Sequence, residues 1–165
     1  IGINFGAPGD RRSEEGTLFV EYPNTGSRSD EVEVRVVGED FRYQRGHATS
    51  IRSGTHPWLT ASSIEGSGVI SIELPDSFKN RKSDIRLWFA ETNTKVKKGE
   101  RVFDVQVNGK AVFPPLDLAH SPGVQIELSR EYLGFNFGDS VEIELIAKSG
   151  SHDPTLSAVE ISKSK

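Results

Sequence analysis

The feature that most restricts the fold of this chain is a two-residue alternation of apolar and polar side chains that recurs along most of its length. In SVEIELIA (140–147), for example, valine, isoleucine and leucine alternate with glutamate. Successive side chains of a β-strand point to opposite faces of a sheet, so this alternation is typical of strands with one buried face. The spacing of an amphipathic helix is almost absent. The sequence therefore predicts an all-β fold.

Gly and Pro stand at nearly every junction between the alternating segments, where they favour turns. The pattern predicts about nine or ten short strands. Such strands at this spacing indicate an antiparallel two-sheet jelly-roll β-sandwich with its loops gathered at the ends. The region 38–68 has no clear period, so we expect a long loop there. The clearest predicted strands lie in GTLFVEYP (16–23), EVEVRVVG (31–38), VISIELP (69–75), DIRLWFAE (84–91), VFDVQV (102–107), VQIELS (124–129), SVEIELIA (140–147) and LSAVEIS (156–162).

The alternation also predicts which side of each strand faces the core. In the first segment, Leu18, Val20 and Tyr22 share one face, which we expect to be half-buried. In DIRLWFAE, Trp88 falls on the face opposite to Phe89, so it lies either on a concave sheet surface or in a second core layer. A strand that is buried on both faces favours the core.

Residues 101–110, RVFDVQVNGK, show the strongest turn signal in the chain. Asn108 and Gly109 follow an alternating strand and precede another apolar run. A type I′ turn needs two consecutive residues with positive φ, and Asn and Gly tolerate that conformation best. We therefore expect a tight β-hairpin here.

Length and composition bound the class of protein. A chain of 165 residues suits one core, so we interpret residues 1–165 as a single β-sandwich domain. Its formal net charge of −4 disfavours a nucleic-acid partner. It contains no cysteine for a disulfide or a thiolate metal site, and no run of about 20 apolar residues that would span a membrane. Because it begins with Ile1 and contains no methionine, we expect it to be part of a longer protein whose adjacent domains are its partners.

From residue 84 to residue 161 the sequence resembles malectin and the malectin-type carbohydrate-binding domains. The resemblance rests on DIRLWFAE, GERVFDVQVNGK, PPLDLA with a glycine at 123, and HDPTLSAVEI, which occur in this order at suitable spacing. NFG at 4–6 and PWLTASSIEG at 57–66 fit the first half of the family more loosely. The resemblance implies a jelly-roll β-sandwich that binds sugar in a cleft formed by loops at one end.

Only some of the sugar-binding residues of that family have counterparts here. Asp153 matches a family Asp that stands shortly before the last strand, and Trp58 is the counterpart of an early aromatic residue. The family has an aromatic pair just after FAE, whereas this chain continues TNTKVKKG, so Asn93 and Thr94 stand in that loop instead. Loss of the pair removes roughly 1 to 3 kcal/mol of stacking and burial, which weakens sugar binding. Tyr43 is a further candidate for the wall of the cleft.

Each candidate also has a purely structural interpretation. Trp58 either binds sugar as an exposed platform or caps one end of the sandwich, and Tyr43 faces either the cleft or the core. Asp153 either accepts hydrogen bonds from sugar hydroxyls or forms an Asx turn before the last strand. Glu91, at the end of FAE, either contacts the ligand or stabilises its own turn. Asp104 and Asp117 also occur in the family's pattern, and we interpret both as structural.

These features predict a non-catalytic carbohydrate-binding module that holds a neutral oligosaccharide or polysaccharide. Its expected location is extracellular, periplasmic or associated with the cell envelope. The alternative is a structural or protein-interaction domain that has lost its sugar site. A glycosidase ranks last, because most acidic residues have outward parity on strands, where solubility explains them.

No cofactor is expected. The four histidines lack the spacing of metal ligands, and no phosphate-binding loop or nucleophile elbow is present. A structural calcium ion held by backbone carbonyls would leave no signal in the sequence.

Overall fold

Two β-sheets stacked face to face form the fold, which the computed structural model describes for residues 1–23, 32–79 and 81–164. The strands are β1 (Gly2–Phe5), β2 (Arg11–Arg12), β3 (Leu18–Tyr22), β4 (Val34–Gln44), β5 (Ser63–Glu73), β6 (Lys82–Phe89), β7 (Val102–Val107), β8 (Lys110–Ala111), β9 (Leu116–Asp117), β10 (Leu128–Asn136), β11 (Ser140–Ala147), β12 (Thr155–Leu156) and β13 (Ala158–Lys163). The short helix α1 (Pro57–Thr60) and helical turns at Ala48–Ser50, Asp76–Phe78 and Ala119–Gly123 connect them. No helix in the described ranges is long and apolar enough to cross a membrane.

The two sheets differ in strand number and order. The first has the order β10-β6-β13-β1-β3-β2, and the second has the order β12-β5-β11-β7-β8, with β4 also paired to β5 and β9 to β7. The predicted all-β, two-sheet sandwich is therefore confirmed. Within the described strands, one parallel pair, β1 with β3, is added to the antiparallel arrangement that the sequence predicts. The jelly-roll topology stays a prediction.

The main core lies between the two sheets. Phe89 of β6 meets Phe103 of β7 with ring centroids 6.1 Å apart, and neither side chain is exposed. Each fully buried phenylalanine or isoleucine of this kind stabilises the fold by roughly 1.5 to 3 kcal/mol relative to an exposed one. Connecting segments also contribute to this core, through Leu74, Phe78, Leu118 and Phe137.

A second, smaller core covers the outer face of the first sheet. Phe19, Leu59, Trp88 and Ala158 pack together there, and Trp58 is partly buried against them. Trp88 is 3% exposed and meets Phe19 edge-on at 5.6 Å between ring centroids. The prediction that Trp88 belongs to a second core layer is confirmed.

This second core changes the expected burial of β3. The predicted face of Leu18, Val20 and Tyr22 is only partly right, because Val20 and Tyr22 pack against the main core while Leu18 is 41% exposed. Phe19, on the other face, is 2% exposed. Both faces of this strand are covered, so alternation alone does not identify its most buried residue.

The prediction of a long loop at 38–68 is wrong over much of that region. Strand β4 continues to Gln44 and β5 begins at Ser63, so strand residues occupy both ends of the region. The pairing of β4 with β5 shifts register between Glu39 and Arg42, and this bulge interrupts the two-residue alternation. The sequence signal for the strand is therefore lost although the strand continues.

Two further boundaries differ from the sequence prediction. The strand expected at 124–129 begins only at Leu128 and runs to Asn136. A bulge near Gly134, whose φ is 72°, interrupts the alternation in the part of the strand that was not predicted. Residue 31 of the predicted strand EVEVRVVG lies outside the described residues, and β4 begins at Val34.

The hairpin in RVFDVQVNGK is confirmed. Asn108 and Gly109 both have positive φ, of 47° and 74°, as a type I′ turn requires. Val107 pairs with Lys110 across the turn. The Asn108 side chain also accepts a hydrogen bond from the backbone N–H of Glu142, which joins the turn to β11.

Candidate functional site

A polar cleft of about 380 Å³ lies where β4 and β5 meet the loop that follows β6. Its walls carry amide, hydroxyl, imidazole, guanidinium and carboxylate groups, and no aromatic carbocycle lines it within the described residues. We call it the polar cleft. It is lined by Arg42, Gln44, Glu65, Thr92, Asn93, Arg101 and His152.

Strand alternation explains how β4 contributes to this cleft. Arg42 and Gln44 line the cleft, whereas Tyr43 between them packs against the main core. The ring of Tyr43 meets that of Tyr22 edge-on at 6.0 Å between centroids. Burial, together with the nearby Tyr22, raises the pKa of Tyr43 to about 12. The side chain of Tyr43 therefore faces the core and not the cleft.

A chain of ion pairs crosses the floor of the polar cleft. Arg101 lies 2.6 Å from Glu91 and 3.3 Å from Glu65. Arg42 bonds the other oxygen of Glu65 at 2.9 Å and the carboxylate of Asp153 at 2.8 Å. The five charges alternate in sign, so each cation lies between two carboxylates.

Burial of these charges increases from the mouth of the cleft to its floor. The side chains of Arg42 and Asp153 are 50% and 41% exposed, while those of Arg101 and Glu91 are 4% and 1% exposed. A buried charge that loses its partner costs several kcal/mol, so the inner pair holds its geometry tightly. The outer pair is close enough to solvent to exchange partners with a ligand. The hydrogen bond from Arg42 to Asp153 raises the pKa of that guanidinium.

The loop after β6 is held by the same buried carboxylate. Glu91 accepts a hydrogen bond from the backbone N–H of Asn93 at 2.9 Å as well as one from Arg101. Asn93 in turn accepts one from the N–H of Lys95 through its side-chain oxygen, at 3.0 Å. Asn93 is exposed and lines the cleft. Glu91 therefore stabilises its own turn, and this turn places Asn93 at the cleft.

Asp153 is placed by two arginines. Its carboxylate pairs with Arg42, and its backbone carbonyl accepts a hydrogen bond from Arg101. The neighbouring His152 is exposed and lines the cleft, while its N–H donates to the carbonyl of Glu100 at 2.7 Å. Of the predicted site residues, Asn93 lines the polar cleft, while Asp153 and Glu91 pair with the lining arginines Arg42 and Arg101.

Trp58 lies elsewhere. It lines a separate cavity of about 340 Å³, which we call the Trp58 cavity, and which is formed by Asn4, Ala7, Pro8, Gly9, Asp10, Arg11, Gly46, His47, Ala48 and Trp58. Its ring packs edge-on against Phe19 at 5.7 Å between centroids. The resemblance implies one sugar cleft for Trp58 and Asp153, but Trp58 lines this cavity, whereas Asp153 pairs with Arg42 of the polar cleft. Trp58 is the edge of the second core as well as the wall of a cavity.

Sequence reasoning missed the arginines and Glu65 that organise the polar cleft. Their signal was present: in EDFRYQR, Arg42 and Gln44 flank Tyr43 with strand parity, and in SIEG a glutamate interrupts an otherwise apolar and small segment. Arg101 stands directly before the apolar strand β7. Charged residues at positions where a core residue is expected are signals for a buried ion-pair network.

The remaining acidic candidates have structural contacts. Asp104 forms an ion pair with Lys148, which directly follows the neighbouring strand β11. Asp117 accepts hydrogen bonds from the backbone N–H groups of Gly99 and His120, which join two loops. Both contacts agree with their structural interpretation. Among the residues that the structure describes, no group of three or more His, Cys, Asp or Glu side chains is arranged to hold a metal ion.

Comparison with known families identifies a relationship over nearly the whole chain. The family model described as the Malectin domain matches residues 1–159. A search of curated protein sequences found no match.

Several solved structures share the fold at low sequence identity. A β-glucuronidase of Bacteroides uniformis aligns with 100% of this chain, with a TM-score of 0.76 and 16% identity, over 18% of its own length. A chain from the complex of the plant peptide RALF23 with FER and LLG2 aligns with 98% of this chain, with a TM-score of 0.75 and 13% identity, over 48% of its length. The ANX1 ectodomain from Arabidopsis thaliana aligns with 100% of this chain, with a TM-score of 0.75 and 13% identity, over 48% of its length. This chain thus spans less than half of each of these proteins.

Proposed function

Because the chain belongs to the Malectin domain family, we propose that it is a non-catalytic carbohydrate-binding module that holds a neutral saccharide in the polar cleft. The observation that carries this proposal is the convergence of exposed amide, imidazole and guanidinium groups on one concave surface with a buried, fully paired floor. Sugar hydroxyls both donate and accept hydrogen bonds, so a wall that offers both kinds of partner suits them.

The ion-pair chain gives each group of the cleft a role in this proposal. The exposed Asp153 and Arg42 offer an acceptor and donors to adjacent hydroxyls, and Asn93 adds its amide. The buried Arg101 fixes the backbone of Asp153. Preorganised polar groups reduce the entropy that is lost on binding.

The composition of the cleft limits the expected affinity. Asn93 and Thr94 stand in the loop where the family has an aromatic pair, so the apolar face of a pyranose has no ring to stack on. Without stacking, hydrogen bonds to solvated hydroxyls give little net free energy. We therefore expect dissociation constants in about the millimolar range.

A protein-interaction role is the second candidate. The lack of an aromatic platform in the described cleft favours it, and so does the structural likeness to a chain from a complex that contains the peptide RALF23. In this case Arg42 and Asp153 would pair with charged groups of a protein segment.

The wider context is also part of the proposal. Since the chain spans only 18% to 48% of its structural neighbours, we infer that it is an accessory domain beside others in a longer protein. The likeness to the ANX1 ectodomain supports an extracellular, periplasmic or cell-envelope location.

The test is a glycan array followed by NMR titration of the chain with any neutral saccharide that scores. Asn93→Ala should weaken binding about fivefold through the lost hydrogen bond, whereas Thr94→Ala, in the same loop but not in the cleft lining, should leave it unchanged. Equal effects of the two variants would contradict the proposed site. Failure of every neutral saccharide to bind would favour the protein-interaction role instead.

A further inference from the structure

The Trp58 cavity shares no lining residue with the polar cleft. Residues 7–11 form one wall and residues 46–48 another, while Asn4 of β1 and Trp58 of α1 complete it. Small residues, Ala7, Gly9, Gly46 and Ala48 among them, leave the cavity open. Its volume of about 340 Å³ lies in the range of small-molecule sites.

One side chain of this cavity, Arg11, carries a positive charge that is not part of a salt bridge among the described residues. The guanidinium carbon of Arg11 lies 4.8 Å from the centroid of the Trp58 ring. Arg42 and Arg101 both pair with carboxylates, whereas Arg11 forms no salt bridge within the described part of the chain. Stacking on an indole orients a guanidinium and leaves the N–H donors at its edge free to bind a planar anion.

A second side chain of this cavity is a buried amide. Asn4 is 3% exposed, and its Oδ1 has no hydrogen-bond partner among the residues that the structure describes. A buried acceptor without a partner costs roughly 1 to 3 kcal/mol, so a native structure usually satisfies it with water or a ligand. A hydroxyl group in the cavity would supply the missing donor.

We propose that the Trp58 cavity is a second binding site, and that its ligand is a hexuronic acid, a pyranose that carries one carboxylate. Arg11 forms a two-point hydrogen-bonded pair with that carboxylate, because the planar guanidinium and the planar carboxylate match in shape. The amide of Asn4 bonds a ring hydroxyl, and the indole of Trp58 holds the guanidinium in position.

The charges of the cavity favour a hexuronic acid over a phosphorylated ligand or a neutral sugar. Asp10 also lines the cavity, and one of its oxygens accepts the backbone N–H of Glu21 at 2.9 Å. A phosphate group, with about −1.5 to −2 charges, would be repelled by this carboxylate more strongly than a monoanion is. A neutral sugar would leave the donors of Arg11 unpaired. A hydroxylated monocarboxylate meets both conditions.

The experiment is calorimetric titration of the chain with D-glucuronic acid, with D-glucose and acetate as comparison ligands. Glucuronic acid should bind at least about tenfold more tightly than either, because only it offers both a carboxylate and hydroxyls. Its addition should also shift the indole N–H resonance of Trp58 in an NMR spectrum. Equal binding of acetate, or an unmoved Trp58 resonance at saturation, would overturn the proposal.

Two matched variants locate the site. Arg11→Gln should weaken glucuronic acid binding about tenfold, whereas Arg12→Gln, which changes the adjacent exposed arginine of β2, should not alter it. Arg11→Lys keeps the charge but loses the planar fork, so it should weaken binding several-fold and serves if the glutamine variant does not fold. Equal affinities for all three variants would overturn the proposal. Because the polar cleft is not involved, failure of neutral saccharides to bind there leaves this result unaffected.

Discussion

The Nε of Arg101 donates a hydrogen bond to Glu91 across 2.6 Å, and the two side chains are only 4% and 1% exposed. The same guanidinium lies 3.3 Å from Glu65 and donates to the backbone carbonyl of Asp153. One buried cation therefore joins β5, the loop after β6 and the segment before β12. Glu65, Asn93 and His152 of the polar cleft lie on these three segments, so the shape of the cleft depends on this buried charge.

Replacing this cation should destabilise the whole domain. Arg101→Met leaves the carboxylate of Glu91 buried without its partner, which costs about 3 to 5 kcal/mol. Urea denaturation measures the loss. Lys148→Met removes an exposed partner of Asp104 and is the control, with an expected loss below about 1 kcal/mol. Similar losses in the two variants would contradict a structural role for the Arg101 pair.

The second core on the outer face of the first sheet should contribute as much as a site in the main core. Trp88→Ala removes a side chain that is 3% exposed and contacts Phe19, so we expect a loss of about 3 to 5 kcal/mol in the free energy of unfolding. The control is Leu133→Ala, on an edge strand and 63% exposed, which should change stability by less than about 0.5 kcal/mol. A loss in Trp88→Ala as small as that of the control would show that α1 does not hold the ring.

The sequence predicted the sandwich well because its main core is built from the residues that alternate. Phe103 and Val105 in β7, and Ile143 and Leu145 in β11, are all buried, as their two-residue spacing predicts. The same rule failed at Phe19, because α1 covers the outer face of the sheet and burial there does not follow a single parity. Alternation reports one buried face, and it is uninformative where both faces are covered.

The candidate site was only partly predictable, for a different reason. Comparison with the family pointed to Asp153, Glu91 and the loop of Asn93; Asn93 lines the cleft, and the two carboxylates pair with arginines that line it. Arg42 and Arg101 were missed, because the pairing of charges distant in sequence depends on the register of β4 with β5, which a bulge shifts. Single-sequence patterns describe neighbours along the chain but not neighbours across a sheet.

Gly66 in β5 should be required for the packing of Phe41. A Cβ atom at Gly66 would lie 2.6 Å from the Phe41 ring, and the φ of Gly66, 147°, disfavours other residues. Gly66→Ala should therefore lower the free energy of unfolding by about 1 to 3 kcal/mol, as measured by thermal or urea denaturation. Gly138→Ala is the control, because a Cβ at Gly138 would meet no atom within 4 Å. A Gly66→Ala variant as stable as the control would mean that the Phe41 ring can move aside.

The half-buried Tyr43 should make stability depend on pH in the alkaline range. Burial, reinforced by Tyr22, raises the pKa of Tyr43 to about 12 from an ordinary value of 10.0. The raised pKa belongs to the folded state, so the unfolded chain loses this proton first as the pH rises. The contribution of Tyr43 is therefore fully present below pH 10 and is lost as the pH rises from about 10 to about 12. Urea denaturation across this range should show a decline in stability that is smaller in Tyr43→Phe, and ultraviolet titration of tyrosinate should lose its latest step in the same variant. If Tyr43→Phe and the unchanged chain declined in parallel, Tyr43 would not be the group responsible, and its core-facing position would no longer account for the alkaline behaviour.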